Sequence, residues 1–345
     1  MPTFCRHGRF LERCPICSKT LPEHQADGRG AAGRRPRSGS TTRSRTRSEP
    51  ARGPGLRVRR EARSADDGYR SELVPGLRSS ADAERLAGEI GFAAGRLAAL
   101  AVDPPGVYED AMRLAAQDLE LATWTSFLIA YLSPLEGPEP FVGIREALVR
   151  NPRPPLGELE QARLDLDGIP LGPRSSHEPS RGVETLRAYV QWVERGGSST
   201  AAASAGADPS QATAFTGDPA WTPERRFERL FERLAIPGFG RTGRYELLVT
   251  LGRLGLYPLL PDSLHLRGIA GEDATTAAAK RVFGIADPLL LERRARSLAD
   301  AAGVPIEALD LALANWAADE RAGVGFGPEA TDEAAVERAR ARLGA

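Results

Sequence analysis

The 345-residue sequence lacks the features that build membrane spans and β-sheets. No run of about 18 apolar residues occurs, so the sequence predicts no membrane-spanning helix. The N-terminal residues lack the apolar core of a secretory signal, and we expect a cytoplasmic protein. Aromatic residues make up only 6% of the chain, and alternating β-branched residues are scarce. Long segments of Leu, Ala, Arg and Glu predominate instead, which predicts an all-α fold.

Lysine is nearly absent, and the basic residues are distributed unevenly. Lys19 and Lys280 are the two lysines, and the formal net charge is zero. Residues 19–63 hold thirteen basic and four acidic residues (13 − 4 = +9), residues 1–18 contribute +2, and the remainder carries 0 − 9 − 2 = −11. Basic segments commonly bind nucleic acid by releasing counterions. A solvated, arginine-rich linker explains the same composition, and both interpretations stay open.

Cysteine is also rare, and its three copies lie within the first seventeen residues. Cys5, His7, Cys14 and Cys17 have a spacing that suits tetrahedral Zn²⁺, because each C-x-H or C-x-x-C step places two donors on one metal. A disulfide would leave one cysteine unpaired and would need an oxidising compartment. We therefore predict a structural zinc knuckle over residues 1–18, with Zn²⁺ as the cofactor and no ligand position left for catalysis.

The segment that follows the knuckle is rich in Gly, Arg, Ser and Pro. It has too little apolar content to offset the entropy of ordering, so residues 19–67 are predicted to be a disordered basic linker. A helical domain is predicted over residues 68–345.

Apolar periodicity places the helices of this domain. We predict a helix over 82–101, a largely apolar central helix within 108–132, and shorter helices at 143–149 and 183–195. Residues 196–220 are rich in Gly, Ser and Ala and are predicted to form a flexible insert.

A helical hairpin is predicted over residues 222–254. Thr222 and Pro223 suit the start of the first helix, and "IPGFGR" separates it from the second. Glycines permit a tight turn, and they leave amides at the second helix N-terminus open to a phosphate. The predicted DNA-binding residues are Pro237, Gly238, Phe239, Gly240, Arg241 and Arg244. A tight turn without a ligand is the alternative.

About twenty residues after the hairpin comes "LLPDSLHLRG". This order resembles the helix-hairpin-helix DNA glycosylase superfamily, in which an LPGVG-type hairpin precedes a VDTH-type motif with a catalytic Asp. The central helix and the closing helices, the last with Trp316, extend the resemblance. It implies that Asp262 is catalytic. Thr242 stands where lyase-type members carry a Lys, which argues against Schiff-base chemistry, and the four-Cys cluster of iron–sulfur members is absent.

A narrower resemblance adds the knuckle "FCRHGRFLERCPIC" and the basic linker. Together with the divergent glycosylase-like body they resemble the α-glutamyl/putrescinyl thymine pyrophosphorylases, third clade. The implied reaction lets glutamate or putrescine displace pyrophosphate from pyrophosphorylated 5-hydroxymethyluracil in DNA. Asp262 would act on the attacking amine, and His265 is a second candidate for proton transfer. Tyr131 and Ser133, at the end of the central helix, are candidate pocket residues.

Plainer interpretations remain for each of these residues. Asp262 could cap a helix opening at "PDSLHL", His265 could pack under the site, and Tyr131 could fill the core. Two other functions also remain, namely a base-excision glycosylase and a catalytically inactive DNA-binding adaptor.

Overall fold

The computed structural model describes residues 64–160, 163–198, 209–266 and 272–345. The chain divides into two units, Met1–Arg60 and Glu61–Ala345, and all described residues belong to the second. The predicted zinc ligands and nearly all of the predicted linker lie outside the described residues.

The described residues form helices and no strands, which confirms the all-α prediction for this part of the chain. None of these helices combines the length and apolarity needed to cross a bilayer. A short 3₁₀ helix covers Pro328–Ala330. The α-helices are α1 (Ser80–Val102), α2 (Val107–Leu114), α3 (Leu119–Leu132), α4 (Val142–Arg150), α5 (Gly182–Ser198), α6 (Gln211–Thr216), α7 (Pro223–Arg233), α8 (Arg241–Arg253), α9 (Ala274–Phe283), α10 (Pro288–Ala302), α11 (Ala308–Ala317) and α12 (Glu333–Leu343).

Helix α3 lies in the centre of the core, as its apolar sequence predicts. Every residue from Ala122 to Leu132 is buried, and α3 packs against α2, α4, α6 and α8. Asp118 caps its N-terminus by accepting a hydrogen bond from the Leu121 amide at 3.0 Å. A second layer forms where α1 packs against α11 and α12. The second helix of the predicted hairpin, α8, therefore rests directly on this buried helix.

Three predicted features differ from the structure. The stretch 108–132 is two helices, because Asp118 starts a new one. The predicted flexible insert 196–220 contains α6, capped by the Ser210 hydroxyl and anchored by the fully buried Phe215. No helix opens at "PDSLHL": residues 262–266 form an irregular loop.

Candidate nucleic-acid interface at the helical hairpin

The helical hairpin has the predicted ends. The Thr222 hydroxyl accepts from the Arg225 amide at 3.3 Å and caps α7, and α8 begins at Arg241 with Gly240 as its N-cap. As a glycine, Gly240 contributes no side-chain cap to α8. Gly240 is exposed, and no atom lies within 4 Å of a Cβ placed on it. The amides of the first turn of α8 therefore face a side that an acceptor can approach, and an anion there interacts favourably with the helix dipole.

Gly238 occupies the tight part of the turn. Its φ is +74°, and a Cβ at this position would lie 1.9 Å from the Thr185 hydroxyl oxygen of α5. Both the backbone angle and the close contact require glycine here. The hairpin is thus fixed against α5.

Phe239 points inward between the two glycines. It is only 2% exposed, and its ring centroid lies 5.3 Å from that of Phe127 and 6.2 Å from that of Tyr131, both on α3. Aromatic rings therefore fill the space between the hairpin and α3. Phe239 anchors the turn to the core, and the turn presents Pro237 and Gly240 to solvent.

The two arginines of the hairpin occupy different environments. Arg244 remains partly exposed, with its guanidinium 4.4 Å from the Phe231 ring centre and Nη1 donating to the Phe231 carbonyl at 2.9 Å. The side chain of Arg241 is only 9% exposed. It donates to the Asp310 carboxylate and lies 3.3 Å from Asp273 Oδ2. A DNA contact through Arg241 would have to form beside these carboxylates.

Arg241 belongs to a buried cluster of four charged residues. Asp310 also accepts from Arg174 Nη2 at 2.7 Å, and the Asp310 side chain is 4% exposed. The Thr242 hydroxyl donates to Asp273 Oδ2 at 3.2 Å. Burial acts to lower the pKa of the Arg241 guanidinium, but Asp310 and Asp273 raise it above its ordinary value. Arg241 is therefore expected to stay charged beside the two carboxylates.

Tyr131 and Ser133 lie at the end of α3 and are buried. Burial raises the pKa of the Tyr131 hydroxyl to about 12. That hydroxyl lies 3.0 Å from Nδ1 of His177, a residue not predicted as part of the site. Ser133 is 4% exposed with a φ of 58°, and its hydroxyl donates to the Pro134 carbonyl at 3.4 Å. Neither residue lines an open surface, and His177 beside Tyr131 is partly buried.

Asp262 lies in the loop after the hairpin, and the residue is exposed. Arg296 of α10 donates to the main-chain carbonyl of Asp262 and not to its carboxylate. Asp262 is not a helix N-cap here, because no helix follows it directly.

His265 lies in the same loop with a φ of 53°, in the left-handed region. Its ring stacks on Phe231 of α7, with centroids 4.1 Å apart and an interplanar angle of 15°. Glu292 of α10 fixes the backbone on either side by accepting from the amides of Leu264 at 2.8 Å and Leu266 at 2.5 Å. The predicted plainer role of His265, packing under the site, agrees with this placement, although the residue is not helical.

Four residues of the site were not predicted, and their sequence signals differ. Asp310 is a lone carboxylate in the apolar stretch "LDLALANW", and Asp273 precedes a helix-forming stretch as an N-cap should. Arg174 and His177 lie in "GPRSSHEP", which has no periodic pattern. The first two could have been found from sequence, and the other two required the fold.

Fold and site together define an all-α protein, over the described residues, with a helical hairpin whose second helix has an open N-terminus. Residues 174–322 match the model of the family described as alpha-glutamyl/putrescinyl thymine pyrophosphorylase clade 3. This match confirms the narrower resemblance stated from the sequence. It includes the hairpin, Asp262 and the buried charged cluster, and it does not extend to the N-terminal knuckle or to residues 81–150. No curated protein and no solved structure gives a significant match.

Proposed function

We propose that this protein modifies a thymine-type base in DNA by transferring an amine onto it. The observation that carries the proposal is the family match over residues 174–322, which spans the hairpin and the loop that holds Asp262. In the proposed step, the amine nitrogen of glutamate or putrescine bonds to the exocyclic methylene carbon of a pyrophosphorylated 5-hydroxymethyluracil. The carbon–oxygen bond breaks, pyrophosphate leaves with the electron pair, and the amine gives up a proton.

The hairpin is suited to hold the DNA backbone during this reaction. The amides at the start of α8 can donate to a phosphate oxygen, and Pro237 and Gly240 are exposed beside them. Chemistry on a base requires that the base leave the stack, and a backbone contact beside the target nucleotide keeps the strand in place while it does.

We propose Asp262 as the base that takes the proton of the amine. Its carboxylate is exposed, so a DNA-bound base and a free amine can both approach it. His265 is three residues away in the same loop and is the second candidate for proton transfer. Tyr131 and Ser133 are buried, and we propose that they support the site from beneath, Tyr131 through its contacts with Phe239 of the turn and with His177.

Mass spectrometry of nucleosides tests the proposal. An oligonucleotide that contains the pyrophosphorylated base is incubated with the full chain and with glutamate or putrescine, then digested. We expect a nucleoside with the mass of the amine adduct, together with one released pyrophosphate for each adduct.

The same assay separates the two other functions. Abasic sites without an adduct would assign the protein to base excision. DNA binding without adduct or abasic site, for both amines, would leave a binding adaptor. Either result contradicts amine transfer.

A further inference from the structure

Three helices begin at one place in this fold. Arg241 is the first residue of α8, Asp273 is the N-cap of α9, and Asp310 lies in the first turn of α11. Arg241 contacts both carboxylates, and the Thr275 hydroxyl at the start of α9 donates to the Asp310 carbonyl at 3.1 Å. Each helix N-terminus carries a partial positive charge of roughly half an elementary charge.

Arg174 and Arg241 offset the formal charges of Asp310 and Asp273, and the three helix N-termini add partial positive charge beside them. Glu292 also acts on Arg241, but its carboxylate is held by two amides of the loop at 262–266. Both arginine side chains are 9% exposed, and Asp310 contacts both of them. Partial positive charge of this kind in a buried environment favours an anion.

Hydrogen-bond donors in the cluster are also unused. Nε of Arg174 and Nε of Arg241 are buried without a hydrogen-bond acceptor among the described residues. Nη1 of Arg241 contacts Asp273 as an ion pair, but without hydrogen-bond geometry. A buried donor without an acceptor is unfavourable, and it usually indicates a ligand or a water at that place.

We infer that this cluster binds a phosphate-class anion, with Arg174, Arg241 and the first turn of α8 as its ligands. The guanidinium group offers paired donors that match phosphate oxygens. Gly240 is exposed and Thr242 is half-buried, so the N-terminus of α8 connects the cluster to solvent.

This inference rests on the proposed function, in which the anion is the pyrophosphate group that must leave the base. The cluster would stabilise the charge that develops on it. A phosphodiester of the DNA backbone has the same chemistry, and the experiment separates the two sources.

Calorimetric titration of the full chain with inorganic pyrophosphate tests the site. Arg174→Lys and Arg241→Lys keep the charge and lose the paired donors, and we expect each to weaken binding by about tenfold. Arg113→Lys is the matched control, because Arg113 is an exposed arginine paired with Asp110 at 2.5 Å. Asp310→Asn removes a competing negative charge while keeping its shape, and we expect it to strengthen pyrophosphate binding.

A parallel titration with unmodified duplex DNA identifies the source of the phosphate. Lysine variants that weaken duplex binding alone would assign the site to a backbone phosphodiester. The inference is overturned if the wild type binds neither ligand at millimolar concentration, or if the lysine variants bind both ligands as the Arg113→Lys control does.

The test of this phosphate site and the test of the proposed amine transfer can fail separately. Formation of the amine adduct without arginine-dependent phosphate binding would remove this inference alone. Arginine-dependent pyrophosphate binding without any adduct would remove the proposed amine transfer alone.

Discussion

Gly238 has a φ of +74°, and a Cβ there would lie 1.9 Å from the Thr185 hydroxyl oxygen. We expect Gly238→Ala to lower the free energy of unfolding by about 1–3 kcal/mol, because the new methyl group adds both backbone strain and a steric clash. Chemical denaturation measures the change. A variant as stable as the wild type would show that the turn can rearrange around a side chain.

Gly240 provides the contrasting substitution. Its φ of −68° suits any residue, and its Cβ position is empty within 4 Å. We expect Gly240→Val to change stability by less than about 1 kcal/mol, since valine is only a poorer N-cap than glycine. DNA affinity should fall, because the side chain covers the amides of α8. Equal affinity of variant and wild type across a salt titration would leave the hairpin as a structural turn.

Asp262→Asn tests the proposed base. Asparagine keeps the shape of the side chain and removes its charge, so the variant should fold and bind DNA normally. We expect the rate of adduct formation to fall by at least about a hundredfold, the usual contribution of a positioned acid–base group. Asp300→Asn is the control, since Asp300 is another exposed aspartate within the family match. Full activity of Asp262→Asn would place the proton transfer at another residue.

At the scale of elements, Glu292 holds the loop that carries Asp262 and His265. Its carboxylate accepts from two loop amides, Leu264 and Leu266, and a glutamine can accept from only one of them without bringing two donors together. We expect Glu292→Gln to accelerate hydrogen exchange at one of these amides by about tenfold at neutral pH. Glu228→Gln, an exposed change on α7, should leave their exchange unaltered. Unchanged exchange in Glu292→Gln would mean that other contacts hold the loop.

The same residue gives the fold a pH dependence of known sign. Burial raises the pKa of the Glu292 carboxyl above its ordinary value. A group whose pKa is higher in the folded state contributes stability below the unfolded pKa of about 4.3 and loses it as the pH rises through the folded value. Chemical denaturation at a series of pH values should therefore show the wild type losing stability relative to Glu292→Gln as the pH rises over that interval.

Helices that bury a regular apolar face could be predicted from the sequence, because their periodicity comes from the burial itself. Helices α1 and α7 are of this kind, whereas α3 and α8 are buried on nearly all sides and could be predicted from their apolar runs. Helix α6 has only six residues and depends on a distant partner, Glu120, which accepts from the amide of Gln211 at 2.9 Å. The loop at 262–266 depends in the same way on Glu292. Contacts between residues so far apart in the chain leave no local pattern in the sequence.

The residues of the candidate site also include some that could be predicted from the sequence and some that could not. The turn glycines and Thr222 were predictable, since their local geometry demands those residues. The placement of Arg241 was not, because its partner Asp310 lies 69 positions away. From the sequence Arg241 is one of two similar arginines beside a turn, and only its contacts with Asp310 and Asp273 distinguish it from Arg244.

At the scale of the whole molecule, the zinc knuckle and the helical domain are predicted to be independent, because a long basic linker separates them. We expect metal analysis of the purified protein, under reducing conditions, to find one zinc per chain. Cys14→Ser should release it and leave the melting temperature of the helical domain nearly unchanged, since metal binding and knuckle folding are coupled only to each other. Less than about half a zinc per chain, well under the single site that the four ligands define, contradicts the prediction.

The basic linker should contribute a separate, sequence-independent part of DNA binding. Residues 29–63 hold twelve arginines and two glutamates, a net charge of 12 − 2 = +10. Each phosphate that they neutralise adds roughly 0.9 to the slope of log affinity against log salt. We expect deletion of residues 29–63 to reduce that slope by several units. The hairpin variant Gly240→Val should weaken binding and change the slope by less than about one unit, because the hairpin contacts few phosphates.

A linker of equal length with glutamine at each arginine separates the effect of charge from the effect of linker length. We expect it to behave as the deletion does. If its slope equals that of the wild type, the linker acts as a tether, and the positive charge that binds DNA must come from the helical domain.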